Sequence, residues 1–197
     1  MDSAANLLLA ELPALLILAA TALVQWGERR VDSYNYAYLK AISAEELIPR
    51  PLRQYYNWTT ALPWLSFLIS MLLPASWKLA PFSLWSLGLI MGGFGLYFGA
   101  IRSLGRLWTR RCLFVPGMPR VNGGVYRLMR HPEYVGRALQ GFGFISFFGL
   151  NPFSFGLWLF SVSLLPRFVK TESRQLEELS LAPLQLPQRS STVGSSE

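Results

Sequence analysis

Apolar residues in this chain fall in long blocks rather than in amphipathic stripes, a pattern that a two-layer soluble domain does not produce. The blocks run from Asn6 to Trp26, Thr59 to Leu79 and Phe82 to Leu104. A closely spaced pair follows, from Val135 to Leu150 and from Phe153 to Val169, parted only by Asn151-Pro152. Such lengths predict an all-α integral membrane protein with about five transmembrane helices, the last two forming a short helical hairpin. Glu11 and Pro13 interrupt the first block, and the gap between the second and third is brief, around Lys78 to Pro81. Near a span's end, Glu11 reads as a carboxylate reaching the interface; the competing reading is a functional group inside the membrane.

The basic residues test this topology independently of hydropathy. Arg29, Arg30, Lys40, Arg50 and Arg53 follow the first block, the largest group runs from Arg102 to Arg137, and Arg167, Lys170, Arg174 and Arg189 follow the last. Only Lys78 remains for the opposite side. An odd number of spans puts all three basic groups on one face, so the positive-inside rule predicts an outside N-terminus and a cytoplasmic C-terminus. The formal net charge of +7 lies beside membrane spans, which suits anionic lipid headgroups and gives no reason to expect nucleic acid. A single Cys and a single His leave neither an internal disulfide nor a structural zinc site to expect. The N-terminal block has no basic region before it and no cleavage-like site, so it reads as a retained span.

Between the first two blocks, Ser43 to Glu46 fits a helix capping box, and Tyr34, Tyr36, Tyr38, Tyr55, Tyr56 and Trp58 read as interfacial anchors. Gly92, Gly95 and Gly99 offer the small-residue spacing of a close helix crossing. After Leu181 no periodic apolar pattern remains. Residues 1–182 therefore read as one domain and 183–197 as a disordered tail.

Polar chemistry concentrates in Asn122 to Gly136, which holds the only His, two Arg and two Tyr between apolar blocks. Pro132 biases His131 away from helical geometry and is itself suited to a first helical position, so a helix is predicted to start there, its positive end facing this segment. His131 would then serve as its cap. Glu133, in the first turn and four residues before Arg137, fits dipole and ion-pair stabilisation.

The order Gly124-x-Tyr126-x-x-x-Arg130-His131-Pro132-x-Tyr134-x-Gly136, followed by an apolar hairpin and then Glu172, resembles the membrane methyltransferase family that includes isoprenylcysteine carboxyl methyltransferases and phospholipid N-methyltransferases. The resemblance covers about residues 100–179. It implies an S-adenosylmethionine pocket at the cytoplasmic membrane face and a lipophilic methyl acceptor entering from lipid. By the same resemblance, His131 and the backbone at Pro132 hold the cofactor, Tyr126 and Tyr134 line it, and Glu172 accepts hydrogen bonds from it. Arg130 pairs either with the methionyl carboxylate or with Glu172. Gly124 and Gly136 allow close backbone approach. Glu172, Arg130 and Tyr126 become the residues nearest the reaction.

A cofactor with a carboxylate, an ammonium, ribose hydroxyls and a sulfonium needs a cation, hydrogen-bond acceptors and aromatic surface, and this segment holds each. The chain departs from the family's pattern at Met118, where a His is usual, at Ser173, where a second carboxylate is usual, and from Leu179 to Pro183, where the usual aromatic ending is absent. Two rival readings stand beside it, the first from a distant likeness of fold and the second from the basic face and these departures. One is an NADPH-dependent sterol-type membrane reductase, for which no Gly-rich dinucleotide fingerprint is present. The other is a non-enzymatic lipid-binding membrane protein with a degenerate pocket. Oligomeric state is not encoded in any motif.

Overall fold

The computed structural model describes residues 2–41, 45–46, 84–110, 113–114 and 121–180, with scattered positions between 61 and 73. The second apolar block, Met118 and the tail after Ser180 lie outside or almost wholly outside these residues. The described chain forms four long helices: α1 (Asp2–Ala41), α2 (Leu84–Leu104), α3 (Pro132–Phe147) and α4 (Pro152–Ser180). Short 3-10 turns at Gly105–Leu107 and Gly124–Arg127 lie between α2 and α3. Two residues on each side, β1 (Glu45–Glu46) and β2 (Leu113–Phe114), pair antiparallel. Glu46 is thus in a strand and not in the first turn of a helix. Pairing with Leu113–Phe114 holds Glu45 and Glu46 extended, so the capping-box reading fails there.

Helix α1 runs well beyond the apolar block, which ended near Trp26. At 40 residues it spans about 60 Å, roughly twice the hydrocarbon thickness of a bilayer. Its backbone stays helical through Glu11 and Pro13. One face carries Leu18, Thr21, Gln25, Glu28, Asp32, Asn35 and Leu39, at alternating spacings of three and four, and these are buried or half-buried. That spacing is a helix–helix seam. On the opposite face Leu15, Leu16, Leu23 and Trp26 are exposed, as suits contact with lipid. Beyond them, cations lie over aromatic rings, with Arg30 4.6 Å from the Trp26 ring centroid and Arg106 5.7 Å from that of Tyr38. Cation–π attraction accounts for both pairs.

Helices α2 and α3 make the closest crossing. A Cβ on Gly93 would lie 2.7 Å from the Gly136 carbonyl oxygen, and one on Gly136 would lie 2.7 Å from that of Gly93. Gly143 sits equally tight against Ile90. The sequence pointed to Gly92, Gly95 and Gly99 instead. Gly92 and Gly95 face open space, whereas Gly99 receives Val125. The difference is one of helical phase. The buried side of α2 is Ser86, Ile90, Gly93, Tyr97 and Ala100, and Gly92 and Gly95 project away from it. Ile90, Phe144 and Phe147 form the core of this crossing, and Ile17 of α1 packs against them.

The hairpin between α3 and α4 turns at Asn151-Pro152, as the sequence predicts. Gly149 takes φ +98°, and the Asn151 side chain caps α4 by accepting from the Ser154 backbone N–H at 2.9 Å. Trp158 then donates from its indole to the Ala138 carbonyl at 3.0 Å, tying the two helices together. Among the described residues, Leu84–Leu107 and Pro152–Glu178 are long and apolar enough to cross a membrane. At 16 residues α3 is shorter than a full span.

Candidate functional site

Pro132 occupies the first turn of α3, fully buried, and His131 precedes it in a non-helical conformation with φ −136° and ψ 64°. The His131 side chain makes no capping bond. Its ring instead crosses to α4. Nδ1 lies 3.4 Å from Oε2 of Glu172, and Nε2 lies 3.1 Å from Oγ of Ser173. A carboxylate oxygen facing Nδ1 favours a proton there, and with the ring in that tautomer Nε2 accepts from the Ser173 hydroxyl. Tyr134 stacks on the imidazole with ring centroids 5.8 Å apart, and Phe168 of α4 lies beyond it at 6.5 Å. His131, Pro132, Tyr134 and Glu172 therefore come together where the start of α3 meets the lower half of α4. Ser173, the next residue of α4, faces the same ring.

The other residues named from the sequence are placed differently. Arg130 is exposed, and no ion pair joins it to Glu172; His131 occupies that place. Tyr126 is half-buried on the 3-10 turn, whose neighbours pack on α2. Gly124 needs its missing Cβ because φ is +59° and because a Cβ there would run into the Ser103 hydroxyl. Gly136 needs its own because Gly93 and Tyr97 stand against it. The space that the resemblance assigned to a ligand beside Gly136 belongs to α2.

Two groups escaped the sequence reading. Gln175 stands one turn beyond Glu172 on α4, and its Oε1, like Oε2 of Glu172, is buried and makes no hydrogen bond among the described residues. Spacing from Glu172 was the available signal. The second is a charged junction. Arg137 donates to the Tyr97 hydroxyl at 2.6 Å, lies 3.6 Å from Oε2 of Glu28, and has its Nε 3.9 Å from Oε1 of Glu133. The Glu133–Arg137 pair was expected. The parts of Glu28 and Tyr97 were not, since only folding brings α1 and α2 to that side chain.

Buried acceptors without donors are what a pocket for an ammonium or for ribose hydroxyls requires, so Glu172 and Gln175 fit the cofactor that the resemblance implies. The aromatic wall of Tyr134 beside His131 fits it equally. Residues 86–178 match the model of the isoprenylcysteine carboxyl methyltransferase family, the family that the motif resembles. The matched segment starts in α2, contains all of α3 and both halves of the His131–Glu172 pair, and ends in α4; α1 lies outside it. No curated protein and no solved structure matches the chain.

Proposed function

We propose that this protein is an integral-membrane methyltransferase that transfers the methyl group of S-adenosylmethionine to a lipophilic acceptor at the cytoplasmic membrane interface. The observation that carries the reading is the meeting of His131 with Glu172 and Ser173, which closes the motif segment onto α4 inside the matched region. When bound, the cofactor supplies an electrophilic methyl carbon on a sulfonium. Transfer is an in-line displacement: an acceptor lone pair forms the new bond to that carbon as the S–C bond breaks and sulfur keeps its electrons. The protein's tasks are alignment and exclusion of water.

In this reading Glu172 and Gln175 accept from the polar groups of the cofactor, and His131, locked between Glu172 and Ser173, fixes the pocket wall. Exposed Arg130 takes the methionyl carboxylate. A carboxylate or thiolate acceptor reacts without a base, whereas an amine or phenol transfers its proton to Glu172 or Tyr126. The acceptor class embraces an isoprenylcysteine-like carboxylate, a phospholipid amine, a thiol or a phenol. In this reading exposed Arg29, Arg30, Arg102 and Arg106 meet anionic headgroups of the cytoplasmic face, with the C-terminus on the same side of a plasma membrane or endoplasmic reticulum. The family match weighs against the sterol-type reductase.

Calorimetric titration of the detergent-purified protein with S-adenosylhomocysteine and, separately, NADPH tests the proposal. Saturable binding of the former, weakened by His131→Ala and by Glu172→Ala, is expected. Binding of NADPH alone would reverse the assignment.

A further inference from the structure

Helix α1 lies outside the matched segment, yet its polar seam serves that segment at three successive positions. Glu28, 7% exposed, faces Arg137; Asp32 Oδ1 accepts from the Arg110 backbone N–H at 2.7 Å; and Asn35 donates to the carbonyls of Gly105 and Trp108 at 3.2 and 2.7 Å. Two of these contacts satisfy backbone where α2 ends. The third is different, because it ends on a charged side chain of α3, the helix that presents His131.

A guanidinium keeps its charge at any pH relevant to a protein, so a largely buried Arg137 needs an opposing charge and filled hydrogen-bond directions. It is held from three helices. Tyr97 of α2 accepts its hydrogen bond and offers its ring face, with Cζ 4.4 Å from the ring centroid. Glu133 of α3 stands at 3.9 Å, an ion-pair distance. Glu28 of α1 is the nearer carboxylate at 3.6 Å. The grip falls on a rigid piece of chain: between Arg137 and His131 come fully buried Pro132, buried Tyr134, and Gly136 wedged against Gly93. Close-packed segments move as units. The contact at the far end, His131 Nδ1 to Glu172 Oε2, is an ion-pair approach of 3.4 Å at which Oε2 makes no hydrogen bond among the described residues, so a displacement of a few tenths of an ångström decides whether one forms.

We propose that Glu28 is a positioning residue for the methyltransferase site: by holding Arg137 it sets the first two turns of α3 and thereby the approach of His131 to Glu172. The link to a cofactor rests on the function proposed above; the link from Glu28 to the His131 ring does not. α1 is then a working part of the site and more than an anchor.

His131 is the only histidine in the chain, so the full-length protein labelled with 15N-histidine gives one imidazole spectrum. In the wild type that spectrum should show the proton on Nδ1. Glu28→Gln, which keeps the shape and removes the charge, should shift it toward a mixture of tautomers, whereas Asp32→Asn, on the same seam but not on Arg137, should leave it unchanged. Affinity for S-adenosylhomocysteine should fall about tenfold in Glu28→Gln, and the same change in a His131→Ala background should add nothing. Arg137→Lys, which keeps the charge but loses the planar fork, tests the same link if Glu28→Gln does not accumulate. An unchanged imidazole spectrum in Glu28→Gln, with a lowered melting temperature, would reduce Glu28 to scaffold and overturn the proposal. A shifted spectrum in a protein that binds no S-adenosylhomocysteine would uphold the positioning and remove the methyltransferase reading instead.

Discussion

His131 lies with Nδ1 3.4 Å from Oε2 of Glu172 and Nε2 3.1 Å from Oγ of Ser173, so both nitrogens of one ring are engaged by consecutive residues of α4. Side chains at consecutive helical positions diverge, and a single imidazole can meet both only when its edge lies across the helix. The ring is thereby fixed in orientation and, while Glu172 is ionised, in tautomer. Replacing His131 or Glu172 with Ala should weaken S-adenosylhomocysteine binding by about tenfold or more, the scale of one lost charge-assisted hydrogen bond. Calorimetry on protein shown by circular dichroism to be helical measures this. Wild-type affinity in both variants would sink the assigned pocket.

Ser173→Glu places a second carboxylate beside the ring. Two carboxylates, one at each nitrogen, favour the doubly protonated imidazolium, because each can only accept. At one fixed pH the 15N resonances of His131 should move toward the imidazolium position relative to the wild type. Ser173→Ala, which removes the partner at Nε2 without adding charge, should not produce that shift.

The glycines of α2 separate by face. Gly93→Ala places a methyl 2.7 Å from the Gly136 carbonyl oxygen and should destabilise the protein by about 1–3 kcal/mol, the range for overpacking. Gly92→Ala and Gly95→Ala enter open space and should be neutral or raise the melting temperature, since Ala is the better helix former. Thermal unfolding in a fixed detergent compares the three. Equal effects at Gly92 and Gly93 would contradict the α2–α3 crossing.

Asn35 is 3% exposed and donates to two backbone carbonyls of the chain that leaves α2. Asn35→Leu leaves both without that donor, and about 1–3 kcal/mol of stability should be lost. Asn151→Ala removes the cap of α4 and should cost about 1 kcal/mol. Because the two sites lie at opposite ends of α2 and α3, their effects should add in the double variant. Melting curves of the single and double variants test this.

Much of this protein was legible in its sequence, for local reasons. Long apolar blocks fix α2 and α4, because a bilayer demands a set length of apolar helix. Pro132 at the start of α3 and Asn151-Pro152 at the start of α4 follow from the missing N–H and fixed φ of proline and from the capping side chain of asparagine. The motif by itself groups His131, Tyr134 and Glu172.

Tertiary structure decided what local rules leave open. Whether His131 caps its own helix or reaches another depends on where α4 returns, and α4 returns beside it. Which glycines serve the crossing depends on helical phase: Gly93 faces Gly136, while Gly92 and Gly95 turn away. The partner of Arg137 could be read as Glu133 because the two are four residues apart; Glu28 and Tyr97 became partners only when three helices met around the guanidinium. Short-range sequence sets the elements because their backbone bonds are local, and the site was assembled by contacts between helices that no single stretch of sequence contains.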